Sequence, residues 1–176
     1  MVEQACAAFG GLDIAFFNAG ILTAGSLLET DVDTWDKVMA VNLRSVFLGL
    51  RSTVPVMQKR GGGAITITAS VAGLLGDADL GVYATSKHGV VGLTKSAAGE
   101  FAASNVRVNG IAPGAVATPM IGERNSELAP GGSIANNHPI GRVASPQDIA
   151  DMVLFLSSDR ASFITGGIYP VDGGMT

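Results

Sequence analysis

The sequence predicts an α/β fold, a parallel sheet covered by helices, on three observations. Short apolar or β-branched runs alternate with long stretches of helical periodicity. Those runs are apolar on both faces, as strands sandwiched between helix layers must be. The 24 glycines among 176 residues fall between periodic segments, which marks turns and close backbone approaches rather than a linker.

Each element has its own signal. Residues 2–9 end a helix at Gly10-Gly11, since glycine takes the left-handed conformation that closes a helix. "LDIAFFNAG" (12–20) is a buried strand and its turn. Residues 34–60 form one long helix, with Asp33 or Thr34 as its cap and Val38, Val41 and Leu48 in its apolar stripe. "GGGAITITAS" (61–70) is glycine punctuation before a β-branched strand. A second long helix covers 82–103. "NVRVNGIAPG" (105–114) is a third strand with a Pro-Gly stop. Thr118-Pro119 has the form of a helix start, with Pro at the first helical position. Residues 122–139 lack periodicity and suggest a loop over a site. "SPQDIADMVLFLSSD" (145–159) is a capped amphipathic helix, and "GGIYPVDGG" (166–174) holds the last strand. The expected strand order is 12–17, 64–69, 106–111, 167–171, all parallel. A single domain over residues 1–176 accounts for every element.

Composition narrows the function. The chain is 47% hydrophobic and 15% charged, so it can build a core and is not a disordered segment. A formal charge of −4 without a basic patch argues against nucleic acid as a partner. No apolar run reaches the length of a membrane span, and Glu3 stands where a signal peptide would carry a basic residue. With Cys6 as the only cysteine, there is no internal disulfide and no thiolate metal site. Cys6 reads as a small apolar helix residue. A cytoplasmic protein is the expectation. His88 and His138 have no carboxylate at ligand spacing, so no metal is assigned.

The chemistry begins at "GVYATSKHGVVGLTKSAAGEF" (81–101). Tyr83 and Lys87 lie one helical turn apart, on one face. A phenol is a poor base at neutral pH, and a neighbouring ammonium favours its phenolate. The two make a plausible general acid–base pair, though the spacing alone also suits an ordinary helix face. Ser70 ends a strand at the carboxyl edge, where open α/β sheets bind ligands. It could orient a substrate oxygen, or simply cap a turn. Asn42 sits inside a long helix, where its amide competes for backbone groups. It is either a surface residue or one that kinks the helix and holds a water.

"FNAG" (17–20), "VN" (41–42), "ITAS" (67–70), "YATSK" (83–87), "APGAVATPM" (112–120) and "GIYPVDGG" (167–174) occur in this order. By these motifs the chain resembles the classical short-chain dehydrogenase/reductase family over nearly its full length. The resemblance implies a Rossmann-like doubly wound parallel sheet and hydride transfer between NAD or NADP and an alcohol or carbonyl substrate. It implies that Tyr83 is the acid–base. Lys87 would lower the Tyr83 pKa and hold the nicotinamide ribose, and Ser70 would orient the substrate oxygen. Asn42 would hold a relay water. Asn18, Ala19 and Gly20 would shape the adenine-side pocket and brace their strand, and Pro113, Gly114, Val116 and Thr118 would meet the nicotinamide end. It further implies a homodimer or homotetramer built through helices 35–60 and 82–103.

One part of the family pattern is not found. Its strand–TGxxxGxG–helix unit, which cradles the pyrophosphate, has no counterpart in these residues. The expectation is therefore a fold truncated at its N-terminus, the catalytic portion of such a protein, binding dinucleotide weakly. The strand at 12–17 would form an apolar edge. Two readings remain: an oxidoreductase of this family, or a catalytically impaired remnant serving as an assembly module.

Overall fold

The structure, a computed structural model, describes residues 1–122 and 129–176; part of the predicted loop at 122–139 therefore lies outside the described residues. Strands β1 (Ile14–Phe17), β2 (Gly63–Thr68), β3 (Val106–Pro113) and β4 (Ile168–Val171) form one sheet in the order β1-β2-β3-β4. Every pairing is parallel, with Ala15 opposite Ile65, Ile65 opposite Val108 and Gly110 opposite Ile168. This is the order and direction the sequence predicts.

Among the described residues the helices are α1 (Val2–Phe9), α2 (Val32–Met39), α3 (Ser45–Arg60), α4 (Gly81–Phe101), the short α5 (Ser133–Asn136) and α6 (Pro146–Ser157). On one sheet face α3 and α4 bury Val46, Leu50, Val54, Met57 and Val90 against Ile65, Ile67, Val106 and Val108. Phe17 joins this core. A side chain at Gly49 would come within 2.8 Å of the Phe17 ring, so the glycine lets α3 sit down on β1. The other face is covered by α6, which packs on β2, β3 and β4. Its start carries the predicted cap: Ser145 and Asp148 exchange hydrogen bonds in a capping box, with Pro146 in the first turn. At its far end Arg107 donates to the carbonyls of Leu156, at 2.9 Å, and Ser158, at 3.2 Å, pairing a cation with the orphan acceptors of a helix terminus.

Three local expectations are corrected. The helix expected at 34–60 begins at Val32, and its cap is Asp31, whose carboxylate accepts from Thr34 N–H; neither Asp33 nor Thr34 is the cap. That helix is also not continuous α. A π-helical turn, Ala40–Arg44, lies between α2 and α3. Finally, Thr118-Pro119 opens the 3₁₀ turn Pro119–Ile121 with Pro in its first positions, but the Thr118 hydroxyl donates to Val116 O rather than capping it; residues 123–128 lie outside the described residues.

Candidate active site

The carboxyl ends of β1, β2 and β3 converge with the first turns of α4. Lys87 is 3% exposed. Its Nζ donates to the carbonyl of Thr68, at the end of β2, at 2.9 Å, and lies 5.7 Å from the centre of the Tyr83 ring. An ammonium has more donors than this one bond uses. Tyr83 is also buried and packs with Ala72 and Ala84. The Ser70 side chain acts on it, its hydroxyl favouring the Tyr83 phenolate. Ser70 Oγ also accepts from Ala72 N–H at 3.2 Å, as the turn-capping reading expects.

The electrostatics differ from the expectation in one respect. Burial raises the Tyr83 pKa, and the Ser70 hydroxyl only partly offsets this. The Lys87 ammonium was expected to dominate and does not. Burial also brings Lys87 down to about 8, because a charge is costly in a site with little water.

Asn42 is the residue around which the helix is deformed. It is 1% exposed, in the π turn. Its Oδ1 accepts from Ile21 N–H at 2.8 Å, and its Nδ2 donates to Ile21 O at 2.9 Å and to Ser86 Oγ at 3.0 Å. Ser86 in turn donates to Tyr83 O at 2.7 Å. The surface alternative is thus excluded, and both amide donors are committed to protein groups, so the side-chain N–H groups are not available to a relay water. A π turn is a common mark of a functional position inside a helix.

The turn after β1 completes this side. Asn18 Oδ1 accepts from the Thr68 hydroxyl at 2.9 Å, bracing β1 to β2 as expected. Ala19 links it to Gly20, where an added Cβ would lie 3.4 Å from Asn42 Oδ1 and 3.5 Å from Lys87 Nζ. Gly20, Asn42 and Lys87 therefore meet at one point. Opposite, Pro113 ends β3 in register with Val171. Gly114 N–H donates to Val171 O, and Val116 forms a parallel bridge to Ala144. Thr118 makes no hydrogen bond to the catalytic set.

Sequence reasoning passed over His138. It is 3% exposed, and its Nε2 accepts from Ala115 N–H at 3.0 Å. No local pattern could have paired residues 115 and 138, although the His-Pro step in a glycine-rich stretch was visible. Asp172, also missed, binds Gly174 N–H, Thr176 N–H and the Thr176 hydroxyl. Burial pushes its pKa up, but these donors outweigh burial and hold it below the ordinary range.

The family model described as enoyl-(acyl carrier protein) reductase matches residues 1–176. The chain belongs to the short-chain dehydrogenase/reductase family. It is 45% identical over 176 residues to cyclohexanol dehydrogenase of Acinetobacter sp. (strain SE19), covering 99% of this chain and 68% of that protein. It is 44% identical to trans-4-hydroxycyclohexanecarboxylate dehydrogenase of Sinomonas cyclohexanicum, covering 99% of this chain and 64% of the relative. It is 39% identical to 3-oxoacyl-[acyl-carrier-protein] reductase FabG of Thermotoga maritima, covering 99% and 70%. The chain thus spans about two thirds of the length of these relatives. Among solved structures, ElxO with NADP bound superposes with a TM-score of 0.93 at 33% identity, over 99% of this chain and 71% of that one. Aldohexose dehydrogenase of Thermoplasma acidophilum gives 0.90 at 30%, with the same coverage. Membership makes the chain an NAD(P)-dependent oxidoreductase by class and favours that reading over the assembly module. No helix among the described residues is long and apolar enough to cross a membrane.

Proposed function

We propose that the chain interconverts a cyclic secondary alcohol and its ketone with NAD or NADP, using Tyr83 as acid–base, Lys87 and Ser70 as its partners and Asn42 as the support for their helix. The observation that carries this is the buried Tyr83 phenol, with the Ser70 hydroxyl on it and the Lys87 ammonium 5.7 Å from its ring. The cofactor supplies or accepts the hydride. Lys87 fits its nicotinamide ribose, since the buried ammonium spends one donor on Thr68 O and has others to offer. Gly20 leaves open backbone beside that ammonium. Pro113, Gly114, Val116 and Thr118 face the nicotinamide end, and Asn18, Ala19 and Gly20 the adenine side. Pyrophosphate contacts of the glycine-rich type are not among these residues.

In the reducing direction Tyr83 gives its proton to the carbonyl oxygen while Ser70 holds that oxygen. Burial keeps the phenol protonated at neutral pH, which suits an acid. In the oxidising direction the phenolate must form first, so oxidation should gain relative to reduction as pH rises. A ring substrate is supported by the two cyclohexane-type relatives and by the apolar run Val71–Gly76 that follows Ser70, in which Leu75 is 44% exposed.

The test is an absorbance assay with cyclohexanol and cyclohexanone, each against both dinucleotides, alongside calorimetric titration of NADH and NADPH. Turnover with either pair supports the reading; no turnover and no binding, with or without an upstream TGxxxGxG segment restored, overturns it. A homodimer or homotetramer through α3 and α4 belongs to the same reading. Phe47 and Leu48 are 46% and 48% exposed, and Phe47, Leu93 and Phe101 line a groove between the two helices. A monomer by light scattering at micromolar concentration would contradict it. A cytoplasmic location accords with a lone cysteine.

A further inference from the structure

We infer that His138 is a positioning residue that fixes the loop Pro113–Thr118 through the Ala115 N–H; its importance for cofactor binding rests on the reading above that this loop meets the nicotinamide end. The imidazole has both nitrogens in use. Nε2 accepts from Ala115 N–H at 3.0 Å, and Nδ1 lies 3.0 Å from Ile134 O. A carbonyl can only accept, so Nδ1 carries the proton and the ring is the neutral Nδ1–H tautomer. The ring thus ties the loop after β3 to the short helix α5.

The loop is held on both sides of one residue. Ala115 N–H is fixed by His138, and Ala115 O accepts from Ala144 N–H at 2.9 Å. Ala117 N–H then donates to Ala144 O at 2.9 Å. The peptides flanking Ala115 are therefore set in orientation, and Val116 and Thr118 follow from them. Gly114 belongs to the same device. A Cβ there would come within 2.6 Å of His138 Nε2 and 3.2 Å of Asp172 Cα. The close approach that Gly114 permits is an approach by the imidazole.

The bond must matter for a simple reason. Remove the acceptor, and a partly buried N–H at the bend loses its partner. The loop then trades this geometry for one in which water or another carbonyl takes the donor. His138 touches neither substrate nor hydride in this scheme; it acts through Ala115.

Two variants separate this from bulk packing. Leucine at 138 fills space without an acceptor. Glutamine can accept Ala115 N–H with its oxygen and donate to Ile134 O with its amide. Amide hydrogen exchange at Ala115 is followed by NMR in the ¹⁵N-labelled chain, and NADPH and NADH are titrated into the same samples. His138→Leu should speed exchange at Ala115 about tenfold, weaken dinucleotide binding by a similar factor, and raise the cofactor KM more than it lowers kcat. His138→Gln should recover most of both. Unchanged exchange at Ala115 in the Leu variant, or a Gln variant no better than Leu, would overturn the proposal. Should the Leu variant not fold, the wild-type protein still decides: a coupling across the hydrogen bond between Ala115 ¹⁵N and His138 Nε2 is expected, and an Nε2–H tautomer sinks the idea. If the wild type binds neither dinucleotide, with or without the upstream segment restored, the functional reading fails, while exchange at Ala115 continues to report on His138 alone.

Discussion

The two sides of the site are built by different means. On the β2 side, Tyr83, Ser86 and Lys87 project from one long helix, and Asn42 from a π turn packed against it; each is buried and hydrogen-bonded. On the β3 side, Pro113 to Thr118 run through irregular backbone held by an imidazole, a short bridge to Ala144 and a carboxylate-centred turn at Asp172. The groups proposed for proton transfer thus stand on rigid elements, which suits a step that tolerates little displacement. The side proposed to meet the ligand is a loop whose shape depends on a few side chains, and such segments are where specificity can change without unfolding the sheet. The contrast implies that lesions on the first side act on chemistry or on stability, and lesions on the second act on binding.

The largest effect should come from the group at the centre of the rigid side. Tyr83→Phe deletes the acid–base and keeps the ring that packs on Ala72 and Ala84. The kcat for cyclohexanone reduction should fall about a thousandfold, with dinucleotide affinity within about twofold of wild type. An equal loss of affinity would mean that Tyr83 serves binding, and the contrast between the two sides would collapse.

Asn42→Leu should be next. It strips both backbone partners from Ile21 and one from Ser86. Leaving such groups unpaired costs about 1–3 kcal/mol each where they are fully buried; Ile21 is only partly so, and a total of about 3 kcal/mol is expected in urea unfolding. A change under about 0.5 kcal/mol for the Leu variant, within the range of ordinary surface substitutions, would show that the π turn is held by something else.

How much of this could be read in the sequence follows from how local each feature is. The four strands and their order were legible, because apolar runs and glycine turns are local signals. So were Ser145 as a cap and the Tyr83–Lys87 spacing, each contained within a few residues. The π turn was not, because Asn42 deforms its helix to reach Ile21, a partner in a different loop. Asp31 was missed as a cap because the apolar stripe begins after it, and capping depends on where the first turn closes. Sequence could place Lys87 near Tyr83 but could not supply the solvent around them, and it is solvent exclusion that settles both ionisations. His138 was invisible as a functional residue for the reason Asn42 was half-visible: its partner is distant in the chain, and a histidine in a loop is in no conflict with its local structure.

The smallest predicted effect tests whether the rigid side carries its charge at a cost to stability. Lys87 falls from an ordinary 10.5 to about 8 on burial. At neutral pH, holding it charged in the fold costs about 3 kcal/mol, against which the bond to Thr68 O returns about 1 kcal/mol. Lys87→Met, similar in length and uncharged, should therefore stabilise the protein at about pH 7 by about 2 kcal/mol while abolishing its function. The sign of the pH dependence follows from proton counts. Between about pH 8 and 10.5 the unfolded chain binds the Lys87 proton more tightly than the folded one, so wild-type stability rises with pH through that window. The Met variant lacks this rise, and its advantage should shrink steadily, vanish at about pH 9.5 and reverse by about 1 kcal/mol at the upper end. Tyr83, whose folded pKa is raised, bends both curves downward above about pH 10, and the comparison should therefore be made in a Tyr83→Phe background. An advantage of Lys87→Met that is constant from about pH 7 to about pH 10 would mean that packing of the methionine, not relief of a buried charge, is the cause.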